Sequence, residues 1–122
     1  MGHKFAAIFV DFHAEATSEK VCLGHYLTDR VTAVVGTHTH IPTADARILG
    51  KGTAYQTDAG AVCLQNSAIG IDKEPIIKHF LTQMPMVHEI SDGPTEFHGT
   101  IVTVDPDTGR ATDITPVHLT SD

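Results

Sequence analysis

The first apolar stretch, Ala6–Phe12, is short, rich in strand formers and interrupted only by Asp11 before His13 follows. A run of this kind predicts a buried strand whose C-terminal end delivers His13. Thr17 or Ser18 is placed to cap a following helix, and Glu19 in its first turn complements the helix dipole. Val21, Cys22, Leu23, Tyr26 and Leu27 give that helix an apolar face through about Asp29. Val31–Val35 is a second apolar run, closed by Gly36 and the His38-Thr39-His40 segment. Strand, helix and strand within about thirty residues predict a βαβ unit with a parallel pair. Both histidine groups then emerge at strand C-terminal ends, where open α/β sheets place their sites.

Downstream, Thr53–Thr57 predicts a short strand, and Asp58 is either a turn residue or a neighbour of the site. Asp72 is placed to cap a helix running to about Thr82, with Pro75 tolerated in its first turn. Gly99–Asp105, the Pro106-Asp107-Thr108-Gly109 turn and Ala111–Leu119 predict a terminal hairpin. Pro116 confines its last strand to an edge, or ends it early. No repeat and no long linker divides the chain, so residues 1–122 read as a single α/β domain or part of one. Met1-Gly2-His3 carries no structural weight and fits a cloning remnant.

Composition narrows the function. The apolar share of 41% is ordinary for a globular protein, and tryptophan is absent, so the core must rest on Val, Ile, Leu and Ala. A net charge of −7 with no basic run argues against general nucleic-acid binding. A small anionic substrate remains compatible, since a bound metal inverts the local field. Cys22 and Cys63 lie in no metal-like spacing, and two thiols of this kind fit a reducing, cytoplasmic setting. Neither a signal-peptide pattern nor a span of ~20 apolar residues is present, so no membrane association is expected.

Nine histidines stand in the sequence, and their placement matters more than their number. His38 and His40, two residues apart, share a face of extended chain with Cα atoms about 6.5 Å apart. Imidazole is the commonest protein metal ligand, and the βαβ arrangement brings His13 close to the pair. Asp11 and Glu15 flank His13, where they either orient ring nitrogens from behind or cap a helix and face water. On spacing alone, a metal site and a set of ordinary polar groups both stand. His25, His79, His88, His98 and His118 read as surface or satisfied core residues.

The strings Asp11–Lys20 (DFHAEATSEK) and Val34–His40 (VVGTHTH) are long and distinctive. With Thr43-Ala44-Asp45, Gly52–Asp58 (GTAYQTD) and Ile69–Glu74 (IGIDKE), the chain resembles the YmdB-type calcineurin-like metallophosphoesterases over most of its length. The resemblance implies a partial layered α/β sandwich, corresponding to the C-terminal half of such a domain. It also implies hydrolysis of phosphodiesters, including 2′,3′-cyclic nucleotides, with the aid of Fe, Mn or Zn. His13 and His38 then look like ligands of one metal and His40 like a ligand of a second, the two ions clamping the phosphoryl group.

In that family the other half of the chain supplies an Asp, a bridging Glu, two Asn ligands and a general-acid His. No bridging carboxylate and no catalytic acid is therefore assigned among these residues. The Ala61–Ser67 segment also departs from the family's Gly-, Tyr- and Asp-containing loop. The resemblance thus implies a hydrolase fragment that is weak or inactive alone; the alternative is a metal-binding or subunit-association module needing a partner that carries the N-terminal half. An incomplete sandwich bares apolar surface and strand edges, so a homo-oligomer is expected.

Overall fold

A computed structural model describes residues 6–121 apart from Glu89 and Ser91. Its elements are β1 (Phe9–His13), α1 (Thr17–Tyr26), β2 (Ala33–Thr37), β3 (Arg47–Leu49), β4 (Thr53–Gln56), β5 (Val62–Leu64), α2 (Lys73–Thr82), β6 (Thr95–Val104) and β7 (Ala111–Thr120). The first sheet has the order β1-β2-β4-β3, with β1, β2 and β4 parallel and β3 antiparallel. A second, antiparallel sheet has the order β5-β6-β7. The expected α/β class, the βαβ unit and the terminal hairpin are all present, and β7, which carries Pro116, is an edge strand.

Alternation along β2 divides the core in two. Val34 faces α1 and packs with Leu49 and Tyr55, and Val10, Val21, Leu23, Leu27 and Val31 close around them. On the opposite face, Ala33 and Ala54 meet Ala111, Val102 and Ile114 of the hairpin. Alanines on the first sheet allow the second to approach closely. The layers are therefore helix, parallel sheet and antiparallel sheet. Buried polar groups tie them together: Thr100 donates to the Gln56 side chain, and Thr32 donates to the carbonyl of Gly109 at 2.7 Å.

Two local expectations are corrected. β1 is not buried: it lies at a sheet edge, with Phe9 57% exposed, because among the described strands only β2 pairs with it. Thr17 and Ser18 do not cap α1. The N-cap is Ala16, with no side-chain hydrogen bond, since the Ala14 amide still reaches Thr37 and leaves only Glu15 and Ala16 to turn the chain. The residues of α1 that are fully buried are Lys20 and Gly24 rather than its apolar positions. By contrast, Asp72 caps α2 as expected, accepting from the Glu74 amide.

Candidate metal centre

The C-terminal ends of β1 and β2 lie side by side, with His13 opposite Thr37. His38 follows immediately, and its Nδ1 stands 3.1 Å from Nε2 of His13, the rings meeting edge to face. A chain of hydrogen bonds fixes the tautomer of His13. The Thr37 hydroxyl gives its single proton to Asp11 at 3.2 Å, so it accepts from Nδ1–H of His13 at 3.1 Å. Nε2 of His13 is left with its lone pair toward His38. Asp11 thus reaches the imidazole through Thr37, whereas Glu15 is exposed and no hydrogen bond joins it to a ring among the described residues.

His40 does not join that pair. Its Nδ1 lies 2.9 Å from the carbonyl oxygen of Ile69. A carbonyl only accepts, so Nδ1 carries the proton and Nε2 is the free donor atom. The Ile69–Glu74 motif therefore contributes a backbone acceptor to the site. Both His38 (φ 123°) and His40 (φ 64°) adopt positive φ, a conformation that costs non-glycine residues about 1–3 kcal/mol and clusters at functional sites.

What holds this strained loop is Asp58. Its carboxylate is fully buried and accepts from Nζ of Lys20 at 2.8 Å, from the Thr39 amide at 2.9 Å and from the Gly60 amide at 2.9 Å. Both readings of Asp58 hold: it accepts from the Gly60 amide two residues on, as a turn residue does, and from the Thr39 amide of the histidine loop. Burial raises its pKa, but the Lys20 ammonium and the Thr39 and Gly60 amides outweigh that and hold it below the usual carboxylate range. Asp45 does similar service next door, taking hydrogen bonds from Thr43, from the Thr57 amide and from the Thr57 hydroxyl. Burial raises the Asp45 pKa too, and these bonds together with Arg47 bring it below its ordinary value.

A second cluster lies on the antiparallel sheet. Donor atoms of Glu96, His98 and His118 all fall within 4.8 Å of one another, a set that can hold one divalent ion. His98, 12% exposed at its side chain, and His118, 53% exposed, both lie against Glu96, in keeping with their reading as satisfied and surface residues. Glu96 and His98 alternate on one face of β6, and His118 is the cross-strand partner of His98. Lys20 and Thr37 have roles here that neither motif nor spacing marks. Both cysteines are free. No described helix is long and apolar enough to cross a membrane.

Comparison with known proteins places this geometry. The YmdB-like protein family matches residues 2–117. A 2′,3′-cyclic-nucleotide 2′-phosphodiesterase of Bacillus subtilis is 48% identical over 115 residues, covering 94% of this chain and 44% of its own length. A crystal structure of a hypothetical protein from Thermus thermophilus superposes with a TM-score of 0.89 at 42% identity, covering 98% of this chain and 47% of that one. A novel phosphatase from Mycoplasma pneumoniae gives the same TM-score at 35% identity, covering 98% of this chain and 43% of that one. The chain thus spans less than half the length of these relatives. With matching motifs, matching fold and a family match across nearly all of its length, the chain belongs to the YmdB-like protein family.

Proposed function

We propose that this chain is the C-terminal, histidine-bearing part of a metal-dependent phosphodiesterase acting on small phosphodiesters of the 2′,3′-cyclic-nucleotide type. The single observation that carries the reading is the His13–His38 pair. Two nitrogens bound tetrahedrally to one ion at ordinary distances lie about 3.3 Å apart, and Nε2 of His13 and Nδ1 of His38 stand at 3.1 Å. Fe, Mn or Zn held there would polarise a phosphoryl oxygen and lower the pKa of a water. Thr37 and Asp11 hold the ring of His13 in the tautomer such an ion needs. His40, with Nε2 free and Nδ1 engaged by Ile69, is the proposed ligand of a second ion. Glu15, exposed two residues after His13, is a more remote member of the proposed site.

His38→Ala is expected to weaken Mn²⁺ binding at least ~10-fold, read by electron paramagnetic resonance of free Mn²⁺; unchanged affinity refutes the ligand assignment. Turnover of 2′,3′-cyclic AMP by the chain with Mn²⁺ is expected to be slow, because no bridging carboxylate or general acid is assigned among its residues. The same substitution should remove whatever turnover there is.

The reading includes association, with a second copy or with a chain carrying the remaining ligands, in a cytoplasmic setting. The support is apolar surface: α2 has no buried residue, and its Ile77, Phe80 and Leu81 are exposed along with Ile8 and Phe9 beside the free edge of β1. A homodimer or larger assembly is expected by light scattering, and a clean monomer at micromolar concentration refutes it.

A further inference from the structure

We infer that Glu96, His98 and His118 form a second metal site, separate from the His13–His38 pair and selective for Zn²⁺ or a neighbouring divalent transition ion. The two separations from the shared carboxylate fit one ion. Nε2 of His98 and Nε2 of His118 lie 3.5 and 3.3 Å from the same Glu96 oxygen, Oε2. That is close to the ~3.3 Å separating two ligand atoms tetrahedrally bound to zinc. Two imidazoles and one carboxylate form a zinc donor set that leaves a fourth position for water.

The surroundings prepare these groups. Glu96 is the cross-strand partner of Cys63, whose thiol donates to Oε1 at 3.9 Å and leaves Oε2 for the imidazoles. His98 is 12% exposed at its side chain, and its Cβ lies 2.6 Å from where a Cβ on Gly60 would be. It is therefore held against the segment that follows Asp58. The rings of His98 and His118 are stacked, 4.3 Å apart and 12° from parallel. Parallel rings cannot both point a lone pair at one ion, so binding turns one of them about χ2. His118, 53% exposed, is free to do so. Two stacked imidazoles that share one carboxylate oxygen cannot both donate to it with good geometry.

Co²⁺ titration followed in the visible region tests the site, using the chain with His13→Ala, His38→Ala and His40→Ala so that none of the histidines of the first site contributes. One equivalent of Co²⁺ with the intense bands of tetrahedral coordination is expected, displaced by Zn²⁺. Glu96→Gln and His118→Ala, added singly at solvent-accessible positions, should each weaken binding at least ~10-fold while circular dichroism stays unchanged. Absence of saturable Co²⁺ binding in this background, or equal affinity in His118→Ala, overturns the proposal. Because the first pair is already removed, neither result depends on whether the phosphodiesterase reading holds.

Discussion

Asp58→Ala is expected to lower the unfolding free energy by about 3–5 kcal/mol, the cost of leaving a buried charge without its partner. Lys20 is 1% exposed and Asp58 is fully buried, so water cannot replace the lost carboxylate. Against a typical total of ~5–15 kcal/mol this is a large fraction. The ion pair itself need not be a net stabiliser, because desolvation offsets much of the attraction. Lys20→Met combined with Asp58→Ala should therefore recover much of the lost stability in urea denaturation. Metal affinity should not recover with it, since the Thr39 amide still lacks its acceptor and the strained histidine loop still lacks its anchor. A single Asp58→Ala variant losing under ~1 kcal/mol would show that the pair is solvated after all.

The same carboxylate gives a pH dependence of defined sign. Its folded pKa lies below the unfolded value, so its contribution is complete above ~3.9 and is lost as pH falls through the depressed folded value. The stability gap between the natural chain and Asp58→Asn should be flat near neutrality and narrow in acid.

Gly36→Ala is the second large effect. A Cβ at this position would stand 1.9 Å from the backbone oxygen of Thr57 and 2.9 Å from Cδ of Lys20. The lysine stem can shift, but the carbonyl belongs to the chain leaving a central strand and cannot. A loss at or above the ~1–3 kcal/mol usual for overpacking is expected, with insoluble protein as one outcome. Gly99→Ala is the informative control. The atoms nearest its Cβ would be those of the Phe97 ring, an exposed side chain that can swing away, so the change should stay within about 0.5 kcal/mol. Equal losses at the two positions would show that loss of glycine, rather than the clash, is responsible.

How much of this was legible depends on whether the signal was local. The βαβ unit, α2 and the hairpin follow from apolar periodicity and turn chemistry, which act over a few residues. Whether β1 is buried depends on how many neighbours it has, and an apolar run does not encode that. Lys20 and Asp58 are thirty-eight positions apart, and nothing in a helix pattern marks one lysine as facing inward. The Glu96–His98–His118 cluster was hidden for a sharper reason. The four-residue turn alone pairs Asp105 with Arg110, a register that would set His98 opposite Val117 and send His118 to the other face. A bulge between Thr103 and Val104 shifts the pairing by one and brings the two histidines together.

Among the described strands, β1 has β2 on one side and nothing on the other. Its outer row of amide and carbonyl groups is thus a docking rail with a direction and a spacing of its own. A further parallel strand hydrogen-bonded there would be locked in steps of two residues, and its C-terminal end would arrive beside His13. Any side chains carried at that end would arrive beside the His13–His38 pair. The rail would thus act as a ruler: one slip of register would turn every incoming side chain to the opposite face.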